Sequence, residues 1–218
     1  MARINTINRV ARICCNAVKD VFEKNTGSSI KYAPTIQKVP NISLKPDLGC
    51  FVQFSGDYSG LFIMNFSSAA ALELYMRAMK FMGLSSEETA RNYYDDEVVN
   101  FIGEMVNQVI GTARHMVEKE FGLTASNNQP KAITISSAIN MNVATLLDRP
   151  ACRRLSFKTE DNNPFYVEMN MEQTEFIRIE ELGPENDLDV EEMLAKSKEQ
   201  PSKPNDDVDI DALLEEYS

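Results

Sequence analysis

Residues 95–111 read DDEVVNFIGEMVNQVIG, and the placement of polar residues within this run decides how the chain is understood. Asp95, Asp96 and Glu97 put negative charge at a helix start, beside orphan amides and the positive end of the helix dipole. Behind them Val98, Ile102, Met105, Val106, Val109, Ala113, Met116 and Val117 recur at three- and four-residue steps, as a buried helical face does. At roughly 100° per residue, Asn100, Glu104, Asn107, Gly111, Arg114 and Glu118 fall within an arc of about 80° on the other side. Glu104 and Asn107 therefore project side by side. Gly111, one turn on, costs about 1 kcal/mol of helix propensity relative to Ala and leaves the backbone open to another surface. Spacing alone leaves two readings open, a solvated polar stripe and a site.

The segments around this helix predict an α+β body. Residues 3–24 have helical apolar spacing and stop at Gly27. Residues 28–47, punctuated by Pro34, Pro40 and Pro46, read as extended or loop. Two strands, about 49–55 and 58–66, meet at Ser55-Gly56-Asp57, a turn signal between β-rich runs. Ser67 or Ser68 starts a helix closed by Gly83, and Ser85 with Glu88 resembles a capping box for a short helix. The central helix spans about 95–121 and ends near Gly122. Strand-like runs follow at about 131–138 and 152–159. A turn at Asp161-Asn162-Asn163-Pro164 leads into the alternating FYVEMNM of 165–171, with a last strand expected at 174–180. The predicted fold is an antiparallel β-sheet with helices packed on it.

Composition bounds the function. With 218 residues, 43% of them hydrophobic, the chain suits one domain of ordinary size plus an extension. No run approaches the ~20 apolar residues of a membrane span, and the start lacks a signal-peptide core, so no membrane association and a cytoplasmic location are expected. Cys14, Cys15, Cys50 and Cys152 have neither metal-ligand spacing nor a disulfide framework, which predicts reduced, partly buried fillers and no metal. His115, the one histidine, reads as a helix-face residue. Residues 180–218 hold 14 acidic residues against three lysines, which accounts for the whole net charge of −11, and residues 1–179 are neutral. No basic patch or RNA-binding aromatic motif is present, so no nucleic-acid partner is expected. Catalytic triads, P-loops and dinucleotide fingerprints are absent from the sequence as well.

The acidic segment carries a repeat. DLDVEEML at 187–194 and DVDIDALL at 207–214 are identical or similar at every position except Glu192 against Ala212, with a polar, Pro-containing linker between them. Residues 181–218 are thus expected to be a largely disordered tail, beside a body at 1–180. In the second copy Ile210, Leu213, Leu214 and Tyr217 would share one face of a helix. So short a helix is marginal in water and would fold on meeting a groove. The alternative is an acidic solubilising tail.

The central helix also resembles the signature of the CheC/CheX/FliY family of chemotaxis phosphatases, [Asp/Ser]-x3-Glu-x2-Asn-x22-Pro. Glu104 and Asn107 match, and Pro130 stands at the required interval; Asn100 departs, standing where Asp or Ser is usual. FVQFSGDYSGLFIMNFS (51–67) resembles the family's hairpin and following helix. A single Glu-x-x-Asn site makes the chain most similar to CheX-like proteins, with an added acidic tail. The resemblance implies the CheX-like fold and hydrolysis of the aspartyl phosphate of a CheY-like response regulator. It also implies that Asn107 orients the attacking water, Glu104 pairs with the regulator's lysine and Pro130 shapes the adjoining surface. Mg²⁺ would be bound by the regulator, no cofactor by this chain, and a homodimer is compatible with the resemblance. The second tail copy resembles acidic peptides of the flagellar switch and of CheZ that bind CheY. The alternatives are a non-catalytic CheX-like module that binds or localises a phospho-regulator, and a flagellar switch assembly protein.

Overall fold

The first apolar periodicity is realised as α1, Thr6–Thr26, which buries Val10, Cys14, Ala17, Val18, Val21 and Phe22. The helix stops where expected. Gly27 takes φ +64°, a left-handed conformation that glycine adopts without a Cβ penalty, and donates to the Glu23 carbonyl at 2.9 Å. The computed structural model describes residues 6–85, 89–135, 139, 141–147 and 149–177. The tail expected over 181–218 lies outside the described residues, as does Glu88 of the capping box.

The remaining elements follow in chain order. Three short strands, β1 (Lys31–Tyr32), β2 (Gln37–Val39) and β3 (Ile42–Leu44), precede the hairpin of β4 (Leu48–Gly56) and β5 (Gly60–Phe66). Two helices follow, α2 (Ser68–Phe81) and α3 (Asp96–Phe121). The chain then forms β6 (Ala125–Asn127), β7 (Lys131–Thr134), β8 (Met141–Val143), β9 (Ala151–Lys158) and β10 (Pro164–Met171). The main sheet is antiparallel, ordered β1-β9-β10-β5-β4-β6, with β2 also on β9 and β7 also on β4; β3 and β8 pair separately.

The α+β expectation holds, with four local corrections. The Pro-rich stretch 28–47 is not merely loop, because it supplies β1, β2 and β3 between its prolines. No strand forms over the described part of 174–180. There Thr6 donates its backbone N–H to the Glu175 carboxylate at 3.0 Å, and the Phe176 N–H bonds the Thr6 hydroxyl at 2.8 Å, so these groups are spent on the start of α1. Of the short helix expected after Ser85, residues 86–88 lie outside the described residues, and the described residues 89–94 are not helical. Of the strand expected near 131–138, β7 covers Lys131–Thr134 and residues 136–138 lie outside the described residues; β6 and β8 carry too little apolar alternation to be read from sequence.

The sheet is covered on both faces, and period-two geometry sorts the side chains between them. Phe62, Met64 and Phe66 of β5 point into the main core beneath the three helices, while Leu61 and Ile63 join Ile42, Leu44, Ile135 and Cys152 in a smaller core on the other face. All of β5 is consequently buried, and so are the last five residues of β10, where simple alternation had been expected. Phe165 stacks on Phe66 at 5.3 Å and on Phe157 at 5.1 Å, its direct partners on the two neighbouring strands. On the second face the buried Glu168 carboxylate would be costly if left unpaired. It accepts from Lys45 Nζ at 2.6 Å and from the Ser43 N–H at 2.8 Å, and the Arg154 guanidinium lies beside it as an ion pair at 3.0 Å, which seats β3 against the sheet.

Candidate functional site

α3 matches its predicted bounds closely. Asp95 is the N-cap, and its carboxylate turns back to accept from the Arg91 and Asn92 amides at 3.2 and 3.0 Å rather than from the helix. Gly122 ends the helix at φ +72°, donating to the Glu118 carbonyl. Val98, Ile102, Met105, Val106, Val109, Ala113 and Val117 are buried, as the spacing required, together with Ile110. Asn100, Glu104, Asn107, Gly111 and Glu118 are exposed on the opposite face, with Arg114 half-buried; His115 is exposed on the same helix.

Across from this face runs the edge of the sheet, and an open cleft of about 230 Å³ lies between them. Val99, Asn100, Gly103, Glu104 and Asn107 form the helical wall; Gln129, Pro130, Lys131 and Ala132 form the strand wall. Gly103 on the helical wall faces Ala132 on the strand wall, and a Cβ placed on it would stand 3.9 Å from that of Ala132, an ordinary contact distance. Four sequence-predicted residues, Asn100, Glu104, Asn107 and Pro130, therefore meet in one place. Gly111 does not line the cleft, and no heavy atom lies within 4 Å of where its Cβ would be.

The position of Pro130 has a backbone cause. Phe54 of β4 pairs with Asn127 and Phe51 with Lys131, so three steps along β4 oppose four along the edge. The additional residue is a β-bulge, which bends an edge strand and tolerates a proline that has no N–H for the ladder. Asn128 stitches the bulge down: its N–H donates to the Gln53 carbonyl at 3.1 Å, and its side-chain oxygen accepts from the Gln53 N–H at 3.0 Å. Asn127 Nδ2 donates to the Asn128 carbonyl at 2.9 Å, and its carboxamide oxygen accepts from Arg114 of α3. Arg114, on the same arc as Glu104, thus ties the helix to the bulge.

On the other flank Glu104 is held from α1. Gln108 Nε2 donates to the Glu104 carboxylate at 3.4 Å, Gln108 Oε1 accepts from Asn25 Nδ2 at 3.1 Å, and Asn25 Nδ2 also donates to the Val21 carbonyl at 2.8 Å. Sequence reasoning missed Gly103, Gln108 and Asn25. Gln108 was signalled by its i+4 spacing from Glu104. Asn25 is joined to the site only by the tertiary fold.

Other chemistry has little to work with here. Burial pushes the Cys14 thiol up to about 12, Cys15 to about 11 and Cys50 to about 12, and raises Cys152, so the four thiols are poor nucleophiles at neutral pH. Among the described residues no group of three or more His, Cys, Asp and Glu side chains could hold a metal, and no helix is long and apolar enough to cross a membrane. The tail residues Ile210, Leu213, Leu214 and Tyr217, and both copies of the repeat, lie outside the described residues.

A family model described as "Protein of unknown function (DUF3334)" matches residues 1–217. Comparison with curated proteins gives no match. Among solved structures, the chemotaxis protein CheX from Desulfovibrio desulfuricans is similar with a TM-score of 0.61 at 17% identity, over 75% of this chain and 99% of that one. A CheC-like superfamily protein from Shewanella sp. PV-4 gives 0.60 at 16% identity, over 75% and 97%. A CheX–CheY–BeF3–Mg²⁺ complex from Borrelia burgdorferi gives 0.53 at 13% identity, over 74% and 97%. The chain belongs to the DUF3334 family, and its body has the fold of CheX and CheC-like proteins.

Proposed function

We propose that this protein is a phosphatase acting on the aspartyl phosphate of a CheY-like response regulator in chemotaxis or a related two-component pathway. The observation that carries the proposal is the convergence of Glu104 and Asn107, exposed side by side on α3, with Pro130 on a bulged edge strand opposite them. Three positions of the signature, separated by up to 26 residues in the chain, form one cleft.

The chemistry asks little covalent work of the enzyme. Water oxygen bonds to phosphorus as the phosphorus–oxygen bond to the aspartate breaks. The bonding pair returns to the carboxylate, the water proton passes to phosphate or solvent, and the products are inorganic phosphate and the free aspartate. Placement of the water dominates such a reaction. The Asn107 carboxamide can accept from that water while donating elsewhere, and it does not ionise near neutral pH. Glu104 offers a carboxylate to the regulator's lysine and so fixes docking. Mg²⁺ belongs to the regulator's own site. The acidic repeats of the tail, with Ile210, Leu213, Leu214 and Tyr217, act as docking peptides that raise the local concentration of substrate.

Asn100, at the cleft wall where the signature has Asp or Ser, favours a second reading: a module that binds the phosphorylated regulator without turning it over. A CheY-type regulator charged with acetyl phosphate and Mg²⁺ separates the two. A catalytic quantity of protein accelerates loss of the phosphoryl group if the first reading holds. Binding without acceleration supports the second.

A further inference from the structure

Three positions on α3 meet three on the sheet edge, in order. Gly103 faces Ala132, Asn107 shares the cleft with Pro130, and Arg114 Nη1 donates to the Asn127 side-chain oxygen. As the numbers rise along the helix they fall along the edge, so the cleft lies between two points of attachment. From Gly103 to Arg114 the helix rises about 16 Å, and from Asn127 to Ala132 an extended chain covers about the same length. One attachment is the approach of Gly103 to Ala132. The other is a single hydrogen bond, and among the described residues no further hydrogen bond or ion pair joins α3 to β6 or β7.

Arg114 is half-buried, has no ion-pair partner among the described residues, and keeps Nε buried without a protein hydrogen-bond partner. An apolar side chain of similar length would fill this space without the cost of desolvating a charge. The bond therefore contributes little net stability, and its consequence lies in where it holds the edge. Asn127 Nδ2 binds the Asn128 carbonyl and Asn128 clasps Gln53, so what holds Asn127 also holds the bulge that carries Pro130. We infer that Arg114 is a positioning residue of the site: through Asn127 it fixes the bulge so that Pro130 stands opposite Asn107. The inference rests on the phosphatase reading, adds a residue outside the family signature and requires no contact between Arg114 and substrate. Moving one wall by about 1 Å misplaces the water that Asn107 orients, and such a shift costs up to about a hundredfold in rate.

Full-length wild type, Arg114→Met, Asn127→Ala, the double variant and Asn127→Asp should be compared against a CheY-type regulator charged with acetyl phosphate and Mg²⁺. Melting curves set a temperature at which every variant is folded. Positioning predicts that each of Arg114→Met and Asn127→Ala lowers kcat about tenfold, with KM changed less than about twofold. The double variant should be no slower than the slower single, because both changes break one bond. Losses that multiply would mean independent effects and overturn the inference. Asn127→Asp keeps an acceptor for Arg114 while shedding the bond to the Asn128 carbonyl, and it should retain most of the rate. A rate as low as that of Asn127→Ala would assign the effect to the Asn128 bond and overturn the role of Arg114. A merely structural role predicts lowered melting temperatures with kcat intact. Wild-type turnover with an unchanged Arg114→Met rate overturns the inference alone and leaves the phosphatase reading standing. Absence of turnover in wild type overturns the phosphatase reading and the inference with it.

Discussion

Asn25 at the end of α1 donates its side-chain amide to the carbonyl oxygen of Gln108 on α3 at 3.1 Å, and through that bond the core-packed helix pair sets the direction of a surface carboxylate. An amide has one accepting end and one donating end. With Oε1 engaged by Asn25, Nε2 of Gln108 is left facing Glu104.

Gln108→Leu should therefore leave the fold intact but release Glu104. The Gln108–Glu104 bond is exposed and 3.4 Å long, so its loss costs stability at the low end of the roughly 0.5–1.5 kcal/mol typical of a hydrogen bond. The expected effect is a several-fold rise in KM for the phosphorylated regulator, about threefold to tenfold if the lost contact is worth about 1 kcal/mol. Steady-state kinetics with a melting curve checks it, and an unchanged KM would mean that Glu104 needs no such support.

The buried thiols predict an alkaline limb of stability. Cysteines in the unfolded chain ionise near 9.0, whereas burial holds the native Cys14 and Cys50 protonated up to about 12 and Cys15 up to about 11. Between these values the native state binds more protons than the unfolded state, so stability is complete below 9.0 and declines as pH rises toward 11. Urea unfolding of wild type and Cys50→Ala across that window should show a shallower decline in the variant, which has one titrating thiol fewer. Parallel limbs would contradict the assignment.

Deleting residues 181–218 tests the tail. If its repeats dock the regulator, the truncated protein should show a raised KM with kcat nearly unchanged, because tethering contributes effective concentration and no chemistry. Equal KM values in the two proteins would reduce the tail to a solvating segment.

Much of this architecture was legible in the residues, and the rest was hidden for physical reasons. α3 could be read almost to the residue because its apolar face is continuous and both ends carry chemical signals, acidic residues at Asp95–Glu97 and Gly122 at the stop. The β4–β5 hairpin was equally clear from Gly56-Asp57 between β-rich runs. β3 and β8 were not, because three-residue strands have no periodicity to display and their burial depends on a second sheet face that no local pattern announces. At the site, Glu104, Asn107 and Pro130 were found through a spaced signature. The bulge that explains Pro130 required knowing that β4 is its partner. Asn25 lies 83 positions from Gln108, and nothing local links the two.

The function rests most heavily on Asn107. The decisive measurement is the single-turnover decay of a phosphorylated CheY-type regulator mixed with excess wild-type protein or Asn107→Ala, with binding to the beryllofluoride-loaded regulator measured alongside. Asn107 is exposed and borne on a helix whose buried face is untouched by the substitution, so the variant should fold and bind normally. Wild type should accelerate the decay and Asn107→Ala should return it to the regulator's own rate, with affinity largely retained. Equal acceleration by the two proteins would contradict a role for Asn107 in positioning water.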